Sequence, residues 1–511
     1  MKSTTYWSAL AQLRLANEGQ SPVDRLKAFR SAFTSASRRV RRTALRGLYT
    51  RIDPKKIPPP NARPSRRHYC RSPQDLAWAA RELSRWISQG ILVPCSDPSA
   101  LIHPYFVVSR NGKKRLVIDF LLLNQAILES PSVAYEDLSR LPKFLPKRAW
   151  MISIDIKSAF HHVPLSPSLR ILCCIEFQGL VFCLTVMTFG VNIAPKIWVM
   201  LISFILDKLR TLGFRILVYM DDILLVHQKL AKLRAQTHRL LTHLMEHGLI
   251  ISWEKSVLKP TRLIRHLGFL INSDSMVLTL PPDKIQDLSA FLRIAAQKPT
   301  LRLKSAMSLY GKVLAANRAF LPAKRYTWRL CSEIYSQLPP KANRRLRAQF
   351  RLRLSPETRD DLMWLSRNLP LAPSRPIRPP IPTHVVYTDA SLTGWGAYCP
   401  TTNQAFAGKW SRHRSPSHIQ VLEMLAVNHA LACLQLPPRA EIHLYTDNQA
   451  VLAYLRNWGG TRSKELSQAT YLVWDTLLKR QLSLARISYV PSGSNTVADY
   501  LSRLHRRPTS W

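Results

Sequence analysis

Residues 215–226 read RILVYMDDILLV, two apolar runs flanking a pair of adjacent carboxylates, Asp221 and Asp222. The runs suit the two strands of a tight hairpin, which would present the acidic pair at the tip of a buried sheet. An isolated buried carboxylate is costly, and two neighbours repel each other unless cations occupy the site. A third carboxylate is offered by WMISIDIKSAF (150–160), where Asp155 ends a strand with Met151 and Ser153 on its own face. Asp155, Asp221 and Asp222 could jointly hold two Mg²⁺ ions, with Mn²⁺ as an alternative, because hard cations take oxygen ligands. Two ions about 3.5–4 Å apart stabilise both the attacking and the leaving oxygen of an in-line phosphoryl displacement. The alternative reading of the Asp-Asp pair is a solvated turn.

The bulk numbers point the same way. The chain has 511 residues with 74 Lys+Arg against 31 Asp+Glu, a formal net charge of +43. Length implies several domains, and the charge implies a polyanionic partner, since each phosphate neutralised releases counterions. Hydrophobic residues make up 46%, which excludes a disordered chain. The eight cysteines include no C-x-x-C pair, so neither a zinc knuckle nor a disulfide framework is expected, and a reducing, intracellular setting follows. The amino terminus lacks the apolar core of a secretion signal, and no apolar run is long enough to span a membrane.

Along the chain, residues 1–70 are Arg-rich and end in RIDPKKIPPPNARPSRRHYC, which predicts a basic, partly disordered arm. A helix is predicted after Ser72, ending at Gly90, followed by strand-like YFVVS and RLVIDF around an Asn-Gly turn. Residues 71–270 read as a large α/β domain, 271–345 as a helical appendage and 346–383 as a connection ending in a Pro-rich linker. A second α/β pattern fills 384–503, before a tail at 504–511. Here VYTDASLTGWGAYC (386–399) places Asp389 after a strand, and SPSHIQVLEMLAVNHAL (415–431) carries Glu423 on a helix. IHLYTDNQAVLAYL (442–455) ends a strand on Asp447, and SGSNTVADYLSR (492–503) sets Asp499 at the start of a last helix. Four such carboxylates would form a second two-metal site.

The motif order resembles that of reverse transcriptases. YMDD is similar to their catalytic hairpin. GKKRLVIDFLLLN (112–124) resembles the fingers segment that cradles the incoming triphosphate, which implies phosphate contacts from Lys113 and Arg115. In SIDIKSAFHHVPL (153–165), Phe160 matches the steric gate, a ring that would collide with a 2′-OH. MTFGVNIAPKIW (187–198) places Gly190 and Pro195 at the positions that pack against template and nucleotide. Lys255 in GLIISWEKSVL matches the family's lysine near the triphosphate, and Leu267, Gly268 and Phe269 in RHLGFLI match the tip of the primer grip. Leu121, after Asp119-Phe120, departs from the pattern, because relatives usually carry a polar residue or arginine there.

The second acidic set resembles a ribonuclease H domain, which cuts the RNA strand of an RNA–DNA hybrid, and implies that Asp389, Glu423, Asp447 and Asp499 are its metal ligands. Many relatives place a histidine in the loop before the last aspartate, whereas YVPSGSNTVAD has none. The fold implied is a right-hand polymerase of fingers, palm and thumb followed by a ribonuclease H-like α/β domain. Implied partners are an RNA template, a DNA primer, dNTPs and RNA–DNA hybrid. YLRNWGGTRSKELSQATYLVW, YVPSGSNTVADYLSR and RHLGFLINSDSMVLTLPPDK look most like DIRS-type retrotransposons, which mobilise with a tyrosine recombinase. No protease, integrase or zinc-knuckle motif is visible, so a separate recombinase or integrase is expected. A hepadnavirus-like polymerase is the second resemblance; it would require a long priming domain upstream, for which seventy basic residues look too short. A further alternative is a decayed or domesticated element that only coats nucleic acid.

Overall fold

The computed structural model describes residues 3–23, 25–59, 68–70, 72–110, 112–338, 344–371, 374–411, 418–460 and 463–504. The expected Asn-Gly turn at Asn111, residues 60–67 of the arm and the tail beyond Leu504 lie outside the described residues. The chain divides into two compact units, Met1–Leu267 with Ile271–Ser275, and Gly268–Leu270 with Met276–Trp511.

The first unit opens with helices α1 (Ser3–Asn17) and α2 (Arg38–Arg46), then α3 (Pro73–Ser88), capped by Ser72, whose side chain accepts the Asp75 N–H. Strand β1 (Leu92–Pro94) leads to the hairpin β2 (Tyr105–Arg110) and β3 (Lys113–Ile118). The central sheet comes next: β4 (Trp150–Asp155), then, after β5 (Cys174–Phe177), β6 (Leu180–Leu184) and the buried helix α4 (Ala194–Thr211), the hairpin β7 (Arg215–Tyr219) and β8 (Asp222–His227). Helix α5 (Leu230–Glu246) and β9 (Val257–Thr261) follow, giving an antiparallel order β7-β8-β4-β9. The near-continuous apolar runs of β4 and β8 are explained by burial on both faces, and α4 buries Ile197, Trp198, Leu201, Ile202, Ile205 and Leu206. A separate three-stranded sheet has the order β1-β6-β5.

Over residues 3–23 and 25–59 the amino-terminal segment is folded, which corrects the expectation of a basic, partly disordered arm there. Tyr6, Leu10, Leu26, Phe33, Val40, Ala44 and Leu48 are buried in the same core as the central sheet. Arginines dominate the composition, yet α2 sends Val40, Thr43 and Ala44 inward at helical spacing and leaves its basic side chains outside, with Ser37 as N-cap. The Tyr6 hydroxyl donates to the Leu258 carbonyl at 2.7 Å, and Asn17 accepts the Ile251 N–H at 2.8 Å.

The cysteine expectation also changes. Cys174 and Cys183 are joined as a disulfide between directly opposed residues of β5 and β6, with a Cα separation of 4.2 Å. A nine-residue spacing carries no signature in sequence; the hairpin register creates the pairing.

The second unit begins with helices α6 (Pro282–Ala296) and α7 (Leu303–Ala316) and continues through α8 (Pro356–Asn368). The stretch read as a connection and linker is packed rather than loose. Strand Arg351–Arg353 pairs with Thr300–Arg302, and Ser374–Pro376 pairs with Val277–Thr279. Leu362 and Leu365 of α8 are buried, and Trp364 stacks on Tyr326 at 3.7 Å between centroids. Pro376 does not prevent the second pairing, because it lies at the end of its strand.

A five-stranded sheet then forms from β10 (His384–Ala390), β11 (Gly394–Cys399), β12 (Gln404–Lys409), β13 (Glu441–Thr446) and β14 (Ser483–Tyr489), ordered β12-β11-β10-β13-β14. The first three strands are antiparallel, while β10-β13 and β13-β14 are parallel. Helix α9 (Ile419–Cys433) lies in the first crossover, α10 (Lys464–Lys479) in the second, and α11 (Thr496–Arg503) closes the described chain. Its core is separate, built from Trp395, Leu422, Leu425, Ile442, Leu444 and Val473 among others.

Two candidate active sites

The acidic set of the first site, Asp155, Asp221 and Asp222, lies in the first unit. The β4–β8 register places Asp155 directly opposite Asp222, so their side chains share one face of the sheet. Asp221 sits at the hairpin turn, where Met220 adopts a left-handed φ of 57° and its carbonyl accepts the indole N–H of Trp198 at 2.9 Å. The Asp221 carbonyl in turn accepts the Ile156 N–H at 3.0 Å, tying the turn to the end of β4.

Burial first, and Asp221 and Asp155 next, push the Asp222 carboxyl up to about 6. Asp221 is raised by burial first and by Asp155, opposed by Lys255 and Arg115. Lys255 lies 3.3 Å from Asp155 through its Nζ, and Arg115 on β3 is near enough to act on Asp221. The structure therefore brings Asp155, Asp221, Asp222, Lys255 and Arg115 into one electrostatic neighbourhood. Lys113 lies at the exposed start of β3.

Phe160 is buried in a short 3₁₀ turn and meets the exposed Phe189 edge-on, centroids 4.8 Å apart. Gly190 has φ 110°, and a Cβ there would stand 2.7 Å from the Ile118 carbonyl oxygen, so only glycine fits. Leu267 and Gly268, with φ 47° and 80°, make the turn between strands Leu263–His266 and Phe269–Asn272, and Phe269 is buried. Leu121 sits exposed at the start of a short helix, Leu121–Ala126.

Several positioning residues were not legible in sequence. Ser256 Oγ accepts the Asp155 N–H at 3.0 Å, and the Ser252 N–H donates to the Asp155 carbonyl at 2.8 Å. Asn124 donates to the Gly190 carbonyl and accepts the Asn192 N–H, both at 2.8 Å. His162 is fully enclosed, accepts the Ile250 N–H at 3.1 Å, and is held neutral by burial, its pKa lowered to about 3. No local pattern marks such contacts, because each spans tens of residues.

The second site lies in the second unit. Asp389 ends β10, Glu423 is on α9 and Asp447 follows β13, and one carboxylate oxygen from each lies within 4.8 Å of the others. Asp389 and Glu423 are buried, whereas Asp447 is half-buried. Burial foremost, with Asp389 and Asp447 adding repulsion, pushes Glu423 up to about 9, and Asp389 is raised to about 6. Glu423 Oε2 is buried with no hydrogen-bond partner. Ser502 donates to Asp389 at 2.6 Å, and Ser492 donates to Asp447 at 2.7 Å. Asp499 stands outside the close triad and is ion-paired with Arg503, although its charge still acts on Asp389 and Glu423. A partnerless carboxylate oxygen among three crowded carboxylates is the donor set of a hard divalent cation. The polymerase-side aspartates form no group as close among the described residues.

Sheet order, crossovers and the two acidic sets define the class: a right-hand polymerase fold followed by a ribonuclease H-like domain. Residues 107–271 match the reverse transcriptase (RNA-dependent DNA polymerase) family. Protein P of Duck hepatitis B virus (strain China) is 25% identical over 425 residues, 81% of this chain and 49% of that protein. Heron hepatitis B virus Protein P is 28% identical over 189 residues, 35% of this chain and 24% of that protein. The Gag-Pol polyprotein of Walleye dermal sarcoma virus is 26% identical over 245 residues, 47% and 13% of the two chains. The chain thus spans about half or less of the length of these relatives. Among solved structures, a foamy viral protease-reverse transcriptase in complex with dsDNA aligns with TM-score 0.56 at 17% identity, covering 88% of each chain. The same enzyme in complex with RNA/DNA hybrid aligns at TM-score 0.55 and 17% identity, over 88% of this chain and 57% of that one.

Proposed function

We propose that this chain is an RNA- and DNA-directed DNA polymerase with a fused ribonuclease H, working on an RNA template, a DNA primer and dNTPs. The observation that carries it is the register of Asp155 against Asp222 at the end of a buried sheet, with Asp221 at the adjoining turn. Mg²⁺, or Mn²⁺, bound at each acidic set would supply the positive charge that stabilises the developing phosphorane and the leaving oxygen. In the polymerase site Asp155, Asp221 and Asp222 hold the cation, while Lys255 and Arg115 are placed to neutralise triphosphate oxygens. Phe160 closes the pocket against a 2′-OH, and the Gly190 loop, clamped by Asn124, gives the nucleotide a flat floor. Phosphate contacts from the +43 surface give register without sequence choice.

In the second domain Asp389, Glu423 and Asp447 form the cation site, with Asp499 completing it once released from Arg503. Ser492 lies in the loop in which related domains place a histidine, and its hydroxyl donates to Asp447 at 2.7 Å.

Primer extension by the purified chain on an RNA template with Mg²⁺ tests the first activity, and Asp221→Asn should abolish it. Cleavage of an RNA–DNA hybrid, lost in Asp389→Asn, tests the second. Binding without any incorporation would establish instead the non-catalytic coat protein. For the parent element, the viral relatives favour the hepadnavirus-like reading over the DIRS-type one. The DIRS-type reading, with its separate recombinase, rests on the motifs at 454–474, 489–503 and 265–284 alone.

A further inference from the structure

The three-stranded sheet β1-β6-β5 carries a cluster that neither proposed activity uses. Cys174 lies directly opposite Cys183, and Val93 of β1 faces Cys183 from the other side. Cys95 is two residues beyond Val93, and its N–H continues the ladder by donating to the Val181 carbonyl at 2.9 Å. A two-residue step returns to the same face of a sheet, so Cys95, Cys174 and Cys183 all project from one side. Their sulfurs lie within 4.8 Å of one another. Cys174 and Cys183 are buried, whereas Cys95 is half-buried and opens the cluster toward solvent. The surroundings, Ala100, Ile171 and Val181, are apolar.

We propose that the reduced form of this cluster is a binding site for one thiophilic metal ion, Zn²⁺ or Cu⁺, held by the thiolates of Cys95, Cys174 and Cys183. Soft thiolate ligands select such ions over Mg²⁺. Three protein sulfurs leave the fourth position of a tetrahedral ion, or the open face of a trigonal one, on the Cys95 side. The disulfide and the metal site exclude each other. A dithiol reductant delivers two electrons and two protons to the Cys174–Cys183 bond, yielding two thiols while the reductant closes to its own disulfide. Metal binding then displaces the thiol protons into solvent. The site is independent of the acidic clusters and does not rest on the polymerase assignment.

The test uses the full chain, reduced with a dithiol, desalted without oxygen and freed of metal. Titration with Co²⁺, a spectroscopic stand-in for Zn²⁺, should give a thiolate-to-cobalt charge-transfer band saturating at one equivalent and erased by added Zn²⁺. Titration with Cu⁺ against a chromophoric chelator should show capture of one equivalent. Carboxylates produce no such band, so ions at the acidic clusters do not contribute. Cys95→Ser, at a half-buried position, is expected to keep the metal-free unfolding temperature and to weaken binding at least tenfold; Cys183→Ser should weaken binding by at least the same factor. The oxidised protein should bind neither ion at this site. Failure of both ions to bind the reduced chain, or binding by Cys95→Ser within twofold of the unsubstituted protein, overturns the proposal and leaves three structural cysteines.

Discussion

Lys255 Nζ stands 3.3 Å from Asp155 Oδ1 across 100 residues of sequence, and the backbone around each is fixed by the same serines, Ser252 and Ser256. The lysine side chain is 66% exposed, so the contact does little for stability and is available to a ligand. Lys255→Met is expected to lower kcat/KM for dNTP about 10- to 100-fold, the effect of about 1.5–3 kcal/mol from one charged hydrogen bond. Because Lys255 also opposes the raised pKa of Asp221 and Asp222, the acid limb of the rate–pH profile should move to higher pH. Steady-state primer extension across pH checks both effects.

Glu423 predicts a pH effect on stability. Its folded pKa is about 9 against an ordinary 4.5, so the folded state holds a proton that the unfolded state has lost through that window. Stability contributed by this group is therefore full below about pH 4.5 and declines as pH rises toward 9. In metal-free protein Glu423→Gln should raise the unfolding temperature of the second unit at pH 8, by about 2–4 °C per kcal/mol recovered. The gain should vanish near pH 4, and Mg²⁺ should raise the unfolding temperature of the second unit more in the unsubstituted protein than in the variant. Calorimetry with and without Mg²⁺ reads each arm.

Ser492 offers a way to separate the two activities. Its hydroxyl is 2.7 Å from Asp447 Oδ2, and the contact is exposed. Ser492→Ala should slow hybrid cleavage about 5-fold, the size of roughly 1 kcal/mol for one net hydrogen bond, without changing primer extension. Parallel assays on one preparation are sufficient.

Gly190→Ala should be disabling out of proportion to its size. The new methyl would lie 2.7 Å from the Ile118 carbonyl at φ 110°, so β3 and the loop must part. A stability loss of about 1–3 kcal/mol is expected from strain of this kind. Denaturant unfolding measures it, and nucleotide KM should rise in step.

Phe160 is both core and gate. Phe160→Val should raise incorporation of ribonucleotides relative to deoxynucleotides at least 10-fold, since one lost steric contact of about 1.4 kcal/mol suffices. It should also cost stability, because Phe160 packs on Phe189 and is buried. Competition between matched rNTP and dNTP on one template reads the gate directly.

The sequence by itself determined the local chemistry. RILVYMDDILLV specified a hairpin because its apolar runs suit paired strands, and the Asp389, Glu423 and Asp447 segments each announced a strand end or helix. Periodicity is a near-neighbour property, so it survives in one dimension. What needed the tertiary structure was everything set by register and packing. Asp222 rather than Asp221 faces Asp155, because hairpin register assigns opposite neighbours. Asp499 turns to Arg503, a choice made by one helical turn of spacing and local charge. The Arg-rich beginning folds into the core because Tyr6, Leu10 and Val40 meet partners hundreds of residues away, and composition averages such faces out. Cys95, Cys174 and Cys183 converge for the same reason: a sheet brings together positions that the chain keeps apart.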